Sequence, residues 1–260
     1  MSYATLLESR DARGIVTLTL NRPDMHNAMD AQMMDDLAAA ASALGADTGV
    51  RAVILTGQGA SFCAGGDLGW MRKQISATRP QRMAEARRLA DMLNTLNTMP
   101  KPLIGAINGA AFGGGVGLAS VCDIALAADT AKFGLTETRL GLIPATIAPY
   151  VLARMGEGKA RRVFMSARRF DAAEALALDL VAQVVAPDAL MDAAMREAEA
   201  YLACAPGAVA AAKALARSLG APITGEVIDA TIERLADTWE NPEASEGIAA
   251  FFEKRKPGWM

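Results

Sequence analysis

Two stretches of small residues carry the chemistry this chain could do. The first runs Gly59-Ala60-Ser61-Phe62-Cys63-Ala64-Gly65-Gly66-Asp67-Leu68. The second runs Asn108-Gly109-Ala110-Ala111-Phe112-Gly113-Gly114-Gly115-Val116-Gly117. Each follows an apolar segment that reads as a strand and leads into one that reads as a helix. Small residues let a ligand approach the backbone closely. A helix N-terminus aims free N–H groups at an anion or a developing oxyanion. Two such loops could supply two donors to one oxygen. Neither is a nucleotide fingerprint. Leu118 stands where the third glycine of GxGxxG would fall after Gly113 and Gly115, and Gly158-Lys159 lacks the upstream glycine and the following hydroxyl of a P-loop. On residue types alone, tight packing explains these glycines as well as ligand binding does.

The rest of the inventory narrows the possibilities. His26 is the one histidine, which excludes most His-base mechanisms and multi-His metal sites. Acid-base work falls to carboxylates, Tyr, Lys or Cys. The three cysteines, Cys63, Cys122 and Cys204, are far apart and form no CxxC pair, so a disulfide framework, a zinc finger and thioredoxin-type redox chemistry are not expected. A reducing, cytoplasmic setting fits them best. Twenty-six Lys and Arg face 29 Asp and Glu, for a net charge of −3. That balance offers no bulk attraction to nucleic acid or to an anionic membrane. With 260 residues, 52% of them hydrophobic, the chain can bury a full core unaided. The first residues show no secretory pattern. The apolar window from residue 109 to 128 contains Asp123 and several glycines, and reads as buried core rather than a membrane span.

The elements that must hold the loops follow from periodicity. Residues 14–20 alternate in the manner of a strand and stop at Asn21-Arg22-Pro23. Asp30 reads as the N-cap of a helix to about Leu44, with Gly45 as its stop. Residues 51–56 and 103–107 read as buried strands, each feeding one glycine-rich loop, and 123–127 as another. A helix opens at Pro80 and ends at Met99-Pro100. Beyond Gly141 the pattern turns helical, with segments at 174–182, 190–204, 209–219, 224–238 and 243–254. Strands alternating with helices predict an α/β layout with buried strands.

With both loops in view, the chain resembles the crotonase (enoyl-CoA hydratase/isomerase) superfamily almost from end to end. The likeness runs through Asn21-Arg22-Pro23 with Asn27-Ala28, Phe62 to Leu68, Ile107-Asn108-Gly109 with the triple glycine, and Cys122-Asp123-Ile124. It continues through Phe133 to Glu137 and Leu140 to Pro144, and closes at Glu246-Gly247 and Phe252 to Arg255. The resemblance implies a spiral of ββα units over residues 1–200 and a C-terminal helical trimerisation region over 201–260. The assembly would be a homotrimer or homohexamer. It implies an acyl-CoA thioester substrate, with CoA arriving as part of that substrate and no metal or further cofactor. The N–H groups of Gly66 and Gly114 would hold the thioester oxygen. Met25, Ala64, Gly65, Asp67 and Leu68 would lie along the CoA.

Two-glutamate hydratases of this family carry one glutamate at the position of Gly117 and another at that of Glu137. Glu137 therefore becomes the sole acid-base carboxylate. A lone base suits a Δ3-Δ2 isomerase, which moves one proton. It equally suits a hydratase whose substrate brings its own carboxylate, because a second Glu about 6 Å away would repel that group by about 3 kcal/mol at an effective dielectric near 20. Residues 113–118 with 140–150 resemble the branch acting on 3-methylglutaconyl-CoA and isoprenoid-derived glutaconyl-CoA esters, which favours the hydratase. On this reading Gly117 opens space, and Arg139 pairs with the substrate carboxylate or is a plain surface charge. Arg168-Arg169 reads as a solvated pair and Cys63 as packing. A non-catalytic RNA-binding member is the alternative of another class, and the balanced charge argues against it.

Overall fold

In the computed structural model, which describes residues 3–260, the chain opens with an antiparallel pair, β1 (Leu6–Arg10) and β2 (Ile15–Leu20). Strand β1 sits at a sheet edge and buries only its first residue, so it leaves no periodic signal in the sequence. Helix α1 (Ala31–Ala46) starts where expected, with the Asp30 carboxylate accepting from Met33 N–H.

Three repeats of one pattern follow. Strand β3 (Ala52–Gly57) leads to β4 (Ser61–Cys63) and then to helices α2 (Leu68–Ser76) and α3 (Arg79–Thr98). Next, β5 (Leu103–Ile107) leads to β6 (Ala110–Phe112) and α4 (Gly114–Val121). Finally β7 (Ile124–Ala128) leads to β8 (Lys132–Gly134), a 3-10 turn at Glu137–Leu140 and α5 (Ala148–Phe164). In each repeat the first strand joins one sheet, the second strand joins another, and a helix closes the unit. This is the expected ββα spiral. The chain continues through β9 (Arg169–Asp171), α6 (Ala172–Ala177), β10 (Gln183–Val185) and α7 (Leu190–Ala200). It ends with α8 (Pro206–Leu219), α9 (Gly225–Glu240) and α10 (Pro242–Phe252).

The large sheet has the order β1-β2-β3-β5-β7-β10 and is parallel from β2 onward. Its central strands are covered on both faces, which is why 51–56 reads apolar at nearly every position. Val53 and Leu55 pack with Leu37, Leu93 and Leu118 of the helices on one side. Ala52 and Ile54 pack on the other against Leu190, Ala193, Ala194 and Ala198 of α7.

The small sheet, β4-β6-β8-β9, is new relative to the sequence reading. Its strands are three residues each, too short for periodicity to register. Two of them lie inside segments 57–66 and 108–117, which read as loops throughout.

The C-terminal helices pack part of their apolar surface inside the chain. Ile228 and Ile232 of α9 are buried against Ala86 and Ala90 of α3, and Ile248 of α10 against Leu142 and Ala244. These side chains are covered within the chain. The apolar residues left open are Leu215 and Leu219 of α8, a helix with no buried residue, and Phe251. Among the described residues, no helix is long and apolar enough to cross a membrane.

Candidate active site

Two asparagines set the turn that aims the first loop. The buried Asn27 donates through Nδ2 to the carbonyls of Gln58 and Ser61 (2.9 and 2.8 Å) and accepts from Arg22 N–H. Asn108 donates to Gly59 O (2.9 Å) and accepts from Gly57 N–H. With the turn held from both sides, β4 pairs in parallel with β6. No side chain fits between them at the critical points. A Cβ on Gly109 would collide with Ala60 O, and one on Gly115 with Cys63 O. The pairing brings the two glycine-rich stretches together at the strand ends, so that a Cβ on Gly113 would lie 4.0 Å from Gly65 Cα.

At this junction two backbone donors are free. Met29 N–H donates to Gly65 O (2.8 Å) and Asp67 N–H donates to Met29 O (2.9 Å). The N–H of Gly66 between them points the other way and has no acceptor among the described residues. Gly114 is the first residue of α4, so its N–H has no intrahelical partner. The preceding Gly113 adopts φ +49° and ψ −113°, a conformation that favours glycine. Gly66 and Gly114 both line one cavity of about 380 Å³.

Glu137 lines the same cavity, at the start of the 3-10 turn. Its Oε2 is buried and has no hydrogen-bond partner. Burial pushes its pKa up to about 7, against partial relief from its own N–H and that of Thr136. It is the only carboxylate on the cavity wall among the described residues. The remaining lining is largely apolar and includes Met29, Phe112, Leu142, Ile143 and Ile147. Leu235, Trp239 and Phe251 come from α9 and α10. The arrangement suits a polar reacting group with a tail: two N–H donors for an oxyanion and one carboxyl near neutral pKa for a proton.

Of the residues singled out in the sequence, Gly66, Gly114, Glu137, Ala64, Gly65, Leu68 and Arg139 line the cavity. Met25, Asp67 and Gly117 do not. Met25 is exposed in the short 3-10 turn Pro23–Met25. Asp67 is structural: it caps α2 by accepting from Trp70 N–H (3.0 Å) and pairs with Arg22 at 3.1 Å. Gly117 opens no space. A Cβ there would sit 2.6 Å from Ile147 Cγ2, because Ile147 already fills that volume. Cys63 is fully buried, which pushes its thiol up to about 12 and leaves it inert.

Arg169 and the C-terminal wall were missed by sequence reasoning. In the Arg168-Arg169 pair, Arg168 is engaged by Glu174 (2.6 and 2.7 Å), while Arg169 lines the cavity. Arg169 opens the three-residue strand β9, opposite Gly134, while Arg168 precedes it, and nothing in the sequence marks that strand.

Comparison with known proteins agrees with this geometry. The profile of the enoyl-CoA hydratase/isomerase family matches residues 10–260. A Rhizobium meliloti protein named "Probable enoyl-CoA hydratase" is 37% identical over 258 residues, covering 98% of each chain. The crystal structure of an enoyl-CoA hydratase from Shewanella pealeana superposes with TM-score 0.81 at 39% identity, over 99% of this chain and 97% of that one. One from Mycobacterium smegmatis gives 0.79 at 35%, over 98% of each. The ββα spiral, the paired glycine loops and the match over nearly the whole length place this chain in the enoyl-CoA hydratase/isomerase family of the crotonase superfamily.

Proposed function

We propose that the protein is an enoyl-CoA hydratase, adding water across the α,β double bond of an acyl-CoA. The observation that carries this reading is the convergence of two free backbone N–H groups and one near-neutral carboxyl on a single apolar cavity. The thioester oxygen sits between the N–H groups of Gly66 and Gly114. Glu137, ionised, takes a proton from water as the water oxygen bonds to C3. The π electrons move onto the thioester oxygen, and the enolate is held by the two donors. Glu137 then returns its proton to C2. Oxyanion donors of this kind contribute about 3 kcal/mol each, and a group with a pKa near 7 can both take and give the proton.

The substrate reading is a branched acyl chain with a distal carboxylate, such as 3-methylglutaconyl-CoA. It is supported by the absence of a second wall carboxylate among the described residues and by the presence of Arg139 and Arg169. The lone carboxyl favours one competing activity, Δ3-Δ2 isomerisation. Mass spectrometry of products decides between them: hydration yields a 3-hydroxyacyl-CoA one water heavier than the substrate, whereas an isomerase leaves the mass unchanged. We also propose assembly as a trimer or a dimer of trimers, supported by the uncovered apolar residues of α8.

A further inference from the structure

The small sheet lines up three residues in one row across β6, β8 and β9: Phe112 opposite Gly134, and Gly134 opposite Arg169. Because Gly134 has no side chain, the Arg169 guanidinium reaches across it and lies over the Phe112 ring, 5.1 Å from the centroid. A Cβ at Gly134 would press on Phe112 Cδ1 at 3.3 Å. The ring face attracts the guanidinium and favours this position. Phe112 is the residue before Gly113, which itself abuts Glu137, and Arg169, an exposed residue at the start of β9, lines the same cavity as all three. Its neighbour Arg168 is consumed by Glu174. Arg169 and Arg139 both line the cavity, and neither has a carboxylate partner among the described residues.

We propose that Arg169, laid over Phe112 across the gap left by Gly134, binds the distal carboxylate of the acyl chain and sets the preference for carboxylated enoyl-CoA esters, with Arg139 as a second guanidinium. This rests on the carboxylated-substrate reading above. A planar guanidinium held by a ring presents two parallel N–H donors to a carboxylate. The same groups could instead grip a CoA phosphate, and the choice of substrates separates the two. Every CoA ester carries the phosphates, and only some carry the acyl carboxylate.

The test is kcat/KM for 3-methylglutaconyl-CoA and crotonyl-CoA in the wild type, Arg169→Gln and Arg169→Lys. The expected result is a wild-type preference for the carboxylated ester that falls about tenfold or more in Arg169→Gln, as loss of a charge-assisted pair implies. Crotonyl-CoA should change less than about twofold, and Arg169→Lys should be intermediate because it keeps the charge without the fork. A wild type with no preference sinks the substrate reading itself. A wild-type preference that survives Arg169→Gln overturns this assignment and leaves that reading intact. An equal rise in KM for both esters assigns Arg169 to CoA and overturns it as well.

Discussion

Gly113 and Glu137 face each other so closely that a single methyl group on Gly113 would stand 3.0 Å from Glu137 Oε1. One residue therefore turns the chain into α4, presenting the Gly114 N–H, and at the same time leaves room for the carboxyl. Gly113→Ala is expected to cost about 1–3 kcal/mol of stability from its left-handed backbone, and to lower kcat further by displacing the carboxyl. Gly66→Ala is the contrast. Its Cβ would meet only Trp70 and Met71 at 3.6 Å or more, and the N–H survives, so both stability and kcat should stay near wild type. Urea unfolding and initial rates on the two variants check this.

Glu137→Gln removes the proton carrier and keeps the shape. Turnover should fall by at least about a hundredfold, the usual worth of a positioned acid-base group. Binding of a CoA ester, read by calorimetry, should persist. A variant that retains more than about a tenth of wild-type kcat, a change under 1.4 kcal/mol in barrier, contradicts the assignment.

The raised pKa of Glu137 also sets a pH dependence. The group holds its proton up to about pH 7 in the folded state and loses it near its ordinary 4.5 when unfolded. Between those values the folded state binds more protons, so this group makes stability fall as pH rises, and the loss is complete above about pH 7. A shift of this size corresponds to about 3 kcal/mol. The difference in unfolding free energy between Glu137→Gln and wild type should therefore be larger at pH 8 than at pH 5, in favour of the variant. kcat/KM should rise with pH and level off above about 7, as the ionised carboxyl becomes available.

How far the sequence reached depends on the length of each signal. Helices α1 and α3 and strand β5 were legible because capping residues and long apolar periods mark them. The glycine loops and Glu137 were legible as well, through a resemblance spread over the chain. The three-residue strands of the second sheet left no such mark. They hold the loops together and place Arg169 on the wall, so the reason for the geometry stayed hidden while its residues were visible. Gly117 was misjudged for a related reason: an absent side chain looks like open space until the neighbour filling it, Ile147, is located.

Gly117→Glu should not behave as a clean change of specificity. The new side chain meets Ile147 Cγ2 at 2.6 Å in a buried position, and such overpacking costs about 1–3 kcal/mol before any charge is counted. Ile147→Ala in the same chain should recover part of the loss, giving a favourable coupling in a double-mutant cycle of unfolding free energies.

The exposed apolar side of α8 should be where copies of the chain meet. Leu215→Glu with Leu219→Glu is expected to yield monomers by light scattering at micromolar concentration, from a trimeric or hexameric wild type. A monomeric wild type would remove the proposal.

The 3-10 turn carrying Glu137 is backed by α10 without a gap. Gly141 lies against the backbone of Glu243, and Gly247 against that of Leu140, with no room for a Cβ at either place. Leu235, Trp239 and Phe251 then close the cavity. During synthesis the ribosome delivers the two N–H donors and the carboxyl long before it delivers this wall. Closing the cavity around Glu137 therefore depends on the docking of α9 and α10, which are made after every group on the opposite wall.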